Sequence, residues 1–207
     1  LQAGKVEAHA DFVPFAELFP YRGFARKIYD GSQAKAPTLH GTLVEKDYAQ
    51  KYPEVVVAYL RAVIEANRLV SAEPEKYSEL IARTTGIEPE VNYLFHGPLG
   101  LQTRDLTWKP EYRQAVKTSF ETLKLLKKAD SDIDLDRFVD DRFIRAAAQQ
   151  AGLSYEQHLE NYAQLPLDAT DAITGEPITD PSRVAQIWVK GEERVRHYAS
   201  PEAALTN

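Results

Sequence analysis

A histidine and an aspartate near the start of the chain have the types and spacing to do chemistry. His9 and Asp11 alternate with Ala8 and Ala10, so a strand here would project both polar side chains from one face of a sheet. An imidazole beside a carboxylate can hold a small solute through hydrogen bonds. The alternative that remains open is that both side chains make structural hydrogen bonds.

Further candidate side chains lie on a second predicted strand, which would approach His9 and Asp11. His40 and Thr42 lie in a β-type stretch, and polar groups at strand ends facing a crevice are typical binding elements of open α/β sheets. Phe12 and Phe15 flank Pro14 and could form an apolar pocket wall, although a plain core role is equally open. We therefore predict a ligand site made by His9, Asp11, Phe12, His40 and Thr42.

The sequence gives little support to metal binding or catalysis. His9, Asp11, His40 and His96 supply nitrogen and oxygen ligands that zinc or copper accept, but their spacing does not favour a metal site over chance. The chain lacks the motifs G-x-S-x-G, H-E-x-x-H and G-x-G-x-x-G, and it lacks a P-loop. We therefore predict no catalytic residue, no metal and no cofactor.

Composition narrows the class of protein. A net charge of −6 argues against nucleic acid as a partner, because phosphate binding needs a basic surface. No apolar run approaches the roughly 18 residues of a transmembrane helix. The absence of Cys excludes disulfides and thiol nucleophiles, and the absence of Met predicts a fragment or a processed chain.

Helices are expected to form most of the scaffold that positions these residues. Apolar periodicity, Pro at first positions and Gly at ends predict helices over residues 47–51, 53–70, 75–85, 89–95, 110–128, 134–151 and 155–163, after a short helical turn within 15–24. Strands are predicted within 4–15, 25–29 and 38–44, and a hairpin at 185–189 and 194–198. A composition shift after Pro166 predicts two parts, residues 1–165 and a small appended tail, 166–207.

The predicted helix 53–70 carries a broad apolar stripe at helical spacing, which we expect to cover a sheet. Its members are Val55, Val56, Tyr59, Leu60, Val63, Ile64 and Ala66.

Four segments, in order, resemble substrate-binding proteins of the nitrate/sulfonate/taurine class of ABC importers. The first is Gly4-Lys5-Val6-Glu7-Ala8, with an aromatic residue four positions later and then Pro14-Phe15. The others are residues 25–31, 48–54 and 134–140. The resemblance covers roughly residues 1–155, and it is the order of the segments that makes it specific.

The resemblance implies a periplasmic-binding-protein-like (type II) α/β clamshell, of which this chain would be the C-terminal half. It implies a solute-binding function in the periplasm or another extracytoplasmic space, with or without a lipid anchor. The partners would be a small-molecule ligand, an ABC permease and ATPase, and the missing N-terminal half. On its own the chain would have an incomplete core and would bind that half or self-associate.

Two other functions remain open. One is a pyrimidine-synthase-like enzyme on the same fold, although the Cys-rich motif of such enzymes is absent here. The other is a sensory or interaction module.

The sequence departs from the family pattern at three consecutive positions. Asp11, Phe12 and Val13 stand where a small hydroxyl residue, Trp and Glu are usual. A carboxylate at this place would repel a bare anion unless a cation or a protonated neighbour compensated it. We therefore expect a ligand with a donor or cationic group and apolar surface, such as an amine-bearing or heteroaromatic compound, rather than nitrate. A metal-assisted anion is the alternative.

Overall fold

The computed structural model describes residues 1–29, 39–102, 104–161 and 169–206 of the 207-residue chain. This part of the chain is helix-rich and contains a two-stranded antiparallel sheet, which is compatible with the predicted α/β class. In chain order the elements are α1 (Phe15–Tyr21), α2 (Lys46–Lys51), α3 (Pro53–Ala72), α4 (Pro74–Thr85), α5 (Pro89–His96), α6 (Pro110–Leu125), α7 (Leu135–Phe138), α8 (Arg142–Gln150), α9 (Tyr155–Asn161), a 3-10 helix (Pro181–Arg183), β1 (Ala185–Ile187), β2 (Arg196–Tyr198) and α10 (Pro201–Thr206). None of the helices in these ranges has the length and apolar character needed to cross a membrane.

The main helices begin with the same two-residue sequence. Each of α3, α4, α5, α6 and α10 begins with Pro followed by Glu. Proline costs nothing at a first position, where its missing N–H has no intrahelical partner, and the glutamate complements the positive end of the helix dipole. These starts explain why the predicted beginnings of α3, α5 and α6 are confirmed to the residue.

Most helix predictions are confirmed. The turn predicted within 15–24 forms α1, and α2 to α6 agree with the predicted ranges to within three residues at each end. Gly86 ends α4 in the left-handed conformation, with φ of 73°, and its N–H donates to the carbonyl of Ala82. Helix α9 begins at Tyr155 as predicted and is described as far as Asn161.

The predicted single helix over residues 134–151 is wrong, because it is broken into α7 and α8. Val139 is extended, and the carboxylate of Asp140 accepts hydrogen bonds from the backbone N–H and the guanidinium of Arg142. A short acidic side chain that binds the backbone two residues ahead stabilises a turn in place of a continuous helix. Asp134 caps α7 in the same way.

The predicted strands before the hairpin are also wrong. Residues 4–14, 25–29 and 39–44 are described, and none of them lies in a strand. The third of these strands was predicted to begin at residue 38, which lies outside the described residues. Alternation of apolar and polar residues is insufficient for a strand without a partner, and the only sheet in the described chain pairs β1 with β2.

Contacts divide the chain into two compact units. The first consists of Leu1–Lys27, Asn67–Arg104 and Ala163–Asn207, and the second consists of Ile28–Ala66 and Asp105–Tyr162. Buried apolar side chains of the first unit are Leu18, Val91, Tyr93, Val195 and Tyr198, and those of the second are Ala49, Val56, Leu135, Ala147, Ala148 and Tyr155. The predicted domain boundary between residues 165 and 166 lies outside the described residues.

The predicted hairpin in the tail is confirmed, with shorter strands. In the antiparallel pair, Ala185 lies opposite Tyr198 and Ile187 lies opposite Arg196. The indole N–H of Trp188 donates to the carbonyl of Glu192 at 2.9 Å across the connecting turn. That turn contains Gly191 with φ of 92°, a conformation that favours glycine.

Side chains attach the hairpin to the helices of the first unit. The amide of Gln186 lies 3.2 Å from the hydroxyl of Tyr93, whose ring meets Trp188 edge-on at 5.5 Å between centroids. The carboxylate of Glu75 accepts a hydrogen bond of 3.0 Å from the backbone N–H of Val195. Burial raises the pKa of Tyr93, so the hydroxyl that accepts the hydrogen bond from Gln186 stays protonated. The hairpin is therefore part of the core of this unit.

The apolar stripe of α3 has a different environment from the predicted one. Val56 is buried, but Val55, Tyr59 and Val63 are exposed. The expectation that this stripe covers a sheet is wrong for Val55, Tyr59 and Val63, since their side chains are open to solvent.

A buried carboxylate organises the start of α6 in the second unit. Asp105 accepts hydrogen bonds from the backbone N–H and hydroxyl of Thr107 and from the hydroxyl of Tyr112, and it lies 2.6 Å from the ammonium of Lys109. Burial acts to raise the pKa of Asp105, but the hydrogen bonds from Lys109, Thr107 and Tyr112 outweigh it, and the pKa lies below its ordinary value. This chain's own donors thus surround the carboxylate, which indicates a structural role.

We expect Asp105→Asn to lower the free energy of unfolding by about 3 kcal/mol at pH 7, because Lys109 would keep a buried charge without its carboxylate. Urea unfolding measures the change. Because the folded pKa of Asp105 is lowered, the wild-type contribution is present above the unfolded pKa of about 3.9 and is lost as the pH falls through the folded pKa.

The control is Lys109→Met in the Asp105→Asn background, which should recover part of the loss by removing the buried charge. Equal stability of wild type and Asp105→Asn at pH 7 would contradict this account.

Candidate functional site

The residues around the start of α1 form the candidate site, and helical turns determine their positions. The N–H of Phe15 donates to the carbonyl of Phe12 at 3.1 Å, and that of Leu18 donates to Pro14 at 2.9 Å. Phe12, Phe15 and Phe19 are therefore spaced by about one helical turn each, which places side chains on one side of a helix.

Aromatic rings meet one another along this side. The ring centroids of Phe12 and Phe15 are 6.4 Å apart in an edge-on arrangement, those of Phe15 and Phe19 are 6.4 Å apart, and those of Phe19 and Phe24 are 5.2 Å apart. The ring of His9 lies 6.1 Å from Phe19. We call these five residues the aromatic cluster. Such separations are within the range in which aromatic pairs attract each other.

The outer part of the aromatic cluster is open to solvent. Phe12 is 60% exposed and Phe15 is 38% exposed, whereas Phe19 and Phe24 are half-buried. Large exposed rings grouped together, rather than scattered singly, are a feature of binding surfaces.

A histidine and a carboxylate meet beside these rings. Nε2 of His9 lies 3.0 Å from Oδ2 of Asp11, and Oδ1 of Asp11 accepts a hydrogen bond of 2.9 Å from the backbone N–H of Phe12. The hydrogen bond from His9, followed by that from Phe12, lowers the pKa of Asp11. Asp11 therefore carries its negative charge at neutral pH, directly beside an exposed ring.

A second carboxylate lies on the inner side of α1. Glu17 is buried, and its Oε1 accepts a hydrogen bond of 3.0 Å from the ammonium of Lys27. Its other oxygen, Oε2, is buried without a hydrogen-bond partner among the described residues. Leu18, next to it, is 4% exposed and packs α1 into the first unit.

An ion pair links α1 to the junction of α4 and α5. The guanidinium of Arg22 donates to both carboxylate oxygens of Glu88, at 2.8 and 3.1 Å, and to the carbonyl of Gly86 at 3.4 Å. The hydrogen bond from Arg22 lowers the pKa of Glu88. A two-pronged contact of this kind fixes direction as well as distance, so it orients the helix that carries the aromatic cluster.

The structure brings some of the predicted site residues together. His9, Asp11 and Phe12 are adjacent in the first unit, whereas His40 and Thr42 lie in irregular, exposed chain of the second unit. A ligand-binding role for all five stays a prediction. Phe19 and Phe24 were missed as members of the site, although the spacing of Phe12, Phe15 and Phe19 was a helical signal.

Comparisons with known proteins do not identify the chain. No family model, characterised protein or solved structure matches it. The resemblance to substrate-binding proteins therefore stays a prediction.

The described part of the chain contains no candidate metal site. Across residues 1–29, 39–102, 104–161 and 169–206, no three side chains of His, Asp or Glu form a group that could hold a metal ion. What the aromatic cluster offers instead is ring surface, an imidazole and an ionised carboxylate. These groups can bind an apolar or cationic molecule by contact and charge.

Within the aromatic cluster, we expect a matched pair of Phe→Ala changes to separate structural rings from exposed ones. Phe19→Ala should lower the free energy of unfolding by about 2 kcal/mol, because this half-buried ring contacts three others. Phe12→Ala should change it by less than about 0.5 kcal/mol, as expected of an exposed side chain. Urea unfolding of both variants tests this, and an equal loss for both would show that Phe12 belongs to the core.

Proposed function

We propose that this chain belongs to an extracytoplasmic solute-binding protein of an ABC importer, and that the aromatic cluster with Asp11 contacts the solute. One observation carries the proposal: an ionised carboxylate is held beside an exposed aromatic ring on the surface of the first unit. The order of the four family-like segments supports the choice of transport class.

The chemistry of the site favours a cationic solute with an apolar part. Each carboxylate oxygen of Asp11 makes one contact of its own, and a carboxylate has about four acceptor positions, so positions remain for a ligand donor. A protonated amine over the face of Phe12 or Phe15 would gain a cation–π interaction as well. A bare oxyanion would meet a like charge at Asp11.

The finer parts of the proposal concern the fold and partners. We propose a type II clamshell of which this chain is the C-terminal half, which binds the missing N-terminal half and delivers its ligand to the permease and ATPase. The proposed location is the periplasm or another extracytoplasmic space. Exposed apolar side chains on α6 and α7, namely Leu123, Leu125 and Phe138, are consistent with further protein contacts.

The test is titration calorimetry in metal-free buffer with three probes: phenethylamine, nitrate and taurine. We expect the protonated aromatic amine to bind best. Asp11→Asn should weaken it roughly tenfold or more, through loss of a charge-assisted hydrogen bond. Binding of the amine should also weaken as the pH falls through the lowered pKa of Asp11, since the neutral acid has no charge to offer.

Glu7→Gln is the matched control, because it removes a carboxylate from the same exposed segment outside the His9–Asp11 pair. It should leave amine binding unchanged. Stronger binding of nitrate or taurine than of the amine would contradict this proposal and favour a simple oxyanion as the solute. Unchanged amine binding in Asp11→Asn would do the same.

A further inference from the structure

Helix α3 presents an apolar stripe to solvent along its part in the second unit. Its larger members are Val55, Tyr59 and Val63, of which Tyr59 is 55% exposed. Between them lie Ala58, Ala62 and Ala66, which are also exposed, so all six share one face at helical spacing. Val56, two turns before Val63, lies at the edge of this face and is buried. In the part of the chain that the structure describes, this stripe is an uncovered helix face with alternating large and small side chains.

Charged residues border the stripe on one flank. Arg61 and Glu65 are exposed and lie one turn apart on that flank, with Glu54 two turns before Arg61. The guanidinium of Arg61 also contacts the side-chain oxygen of Gln150 at 3.4 Å. On this flank Arg61 and Glu65 lie on either side of Val63, and the exposed Arg68 follows one turn after Glu65.

We propose that this stripe binds the same stripe of a second copy of the chain, with the two α3 helices antiparallel. A two-fold axis perpendicular to both helices places their charged flanks on the same side of the pair. The residues of one flank then run in the opposite direction to those of the other. With the axis between Ala62 and Val63, Arg61 of each copy lies within one residue, roughly 1.5 Å along the helix, of Glu65 of the other, which gives two complementary pairs. In a parallel pair the charged flank would face the opposite flank, and this complementarity would be lost.

The side-chain sizes fit the same arrangement. With the axis between Ala62 and Val63, Tyr59 of one copy lies opposite Ala66 of the other, and Ala62 lies opposite Val63. Large residues opposite small ones interdigitate, and alanines allow close approach within the usual helix–helix separation of 8–10 Å. Side-chain size and charge therefore both favour a second copy of the chain as the partner, with its α3 helix antiparallel. The inference does not depend on the proposed solute-binding function.

Cysteine cross-linking tests the geometry, because the 207-residue sequence has no Cys. In Ala62→Cys the introduced thiols would lie close to the two-fold axis, so mild oxidation should give a disulfide-linked dimer. Ala72→Cys is the control at an exposed position of the same helix. At 1.5 Å per residue its two copies would be roughly 28 Å apart, too far for a disulfide. Equal cross-linking of both variants, or none in Ala62→Cys, would overturn the proposal.

Charge reversal tests the pairing in the 207-residue chain. Sedimentation should give the wild type a mass twice its 23.3 kDa. Arg61→Glu alone and Glu65→Arg alone should each raise the dissociation constant at least tenfold. A mixture of the two single variants should recover the dimer, because each copy then supplies the charge that the other needs. Circular dichroism checks that both variants stay helical.

The recovery in the mixture separates contact between copies from contact within one helix, since a single chain cannot supply it. A wild type that stays monomeric at high micromolar concentration would overturn the proposal and indicate another partner for the stripe. A dimer that is insensitive to both reversals, or a mixture that does not recover, would also overturn it.

Discussion

The candidate site depends on how the seven-residue helix α1 is held in place. A helix of this length has too few internal hydrogen bonds to be stable alone in water. Burial of Leu18 attaches it to the first unit, and the contacts of Arg22 with Glu88 and Gly86 set its direction. The arginine contact spans 66 residues of sequence. The orientation of the aromatic cluster is thus determined by residues that lie far from it in the chain.

Helices were predictable from sequence because their signals are local. Pro-Glu at the first two positions, apolar periodicity and Gly86 at the end of α4 all act within a few residues of the element they define. The hairpin was predictable for the same reason, since Gly191 marks its turn. The error over residues 134–151 was local as well. The carboxylate of Asp140 competes with the helical hydrogen bonds, and apolar periodicity does not detect that competition.

The predicted strands failed because a strand requires a partner that sequence alternation cannot specify. His9 and Asp11 were expected together on the face of a strand, and they are together for a different reason, a direct contact between neighbouring side chains in irregular chain. The grouping with His40 and Thr42 depended on pairing between distant strands, and those strands did not form. Long-range contacts such as that between Trp108 and the hydroxyl of Tyr155, 47 residues apart, are equally absent from any local pattern.

The aromatic cluster and the apolar stripe of α3 differ in ways that suit different ligands or partners. At the edge of the aromatic cluster, Asp11 lies directly beside Phe12, so a charge and ring surface are both within reach of one small molecule. On α3, Val55 and Ala66 are 11 residues apart, which corresponds to roughly 16 Å along the helix. Its charges lie along one edge, and its alanines favour close backbone approach. A long narrow stripe of this kind matches another helix, since only an elongated partner can cover its full length.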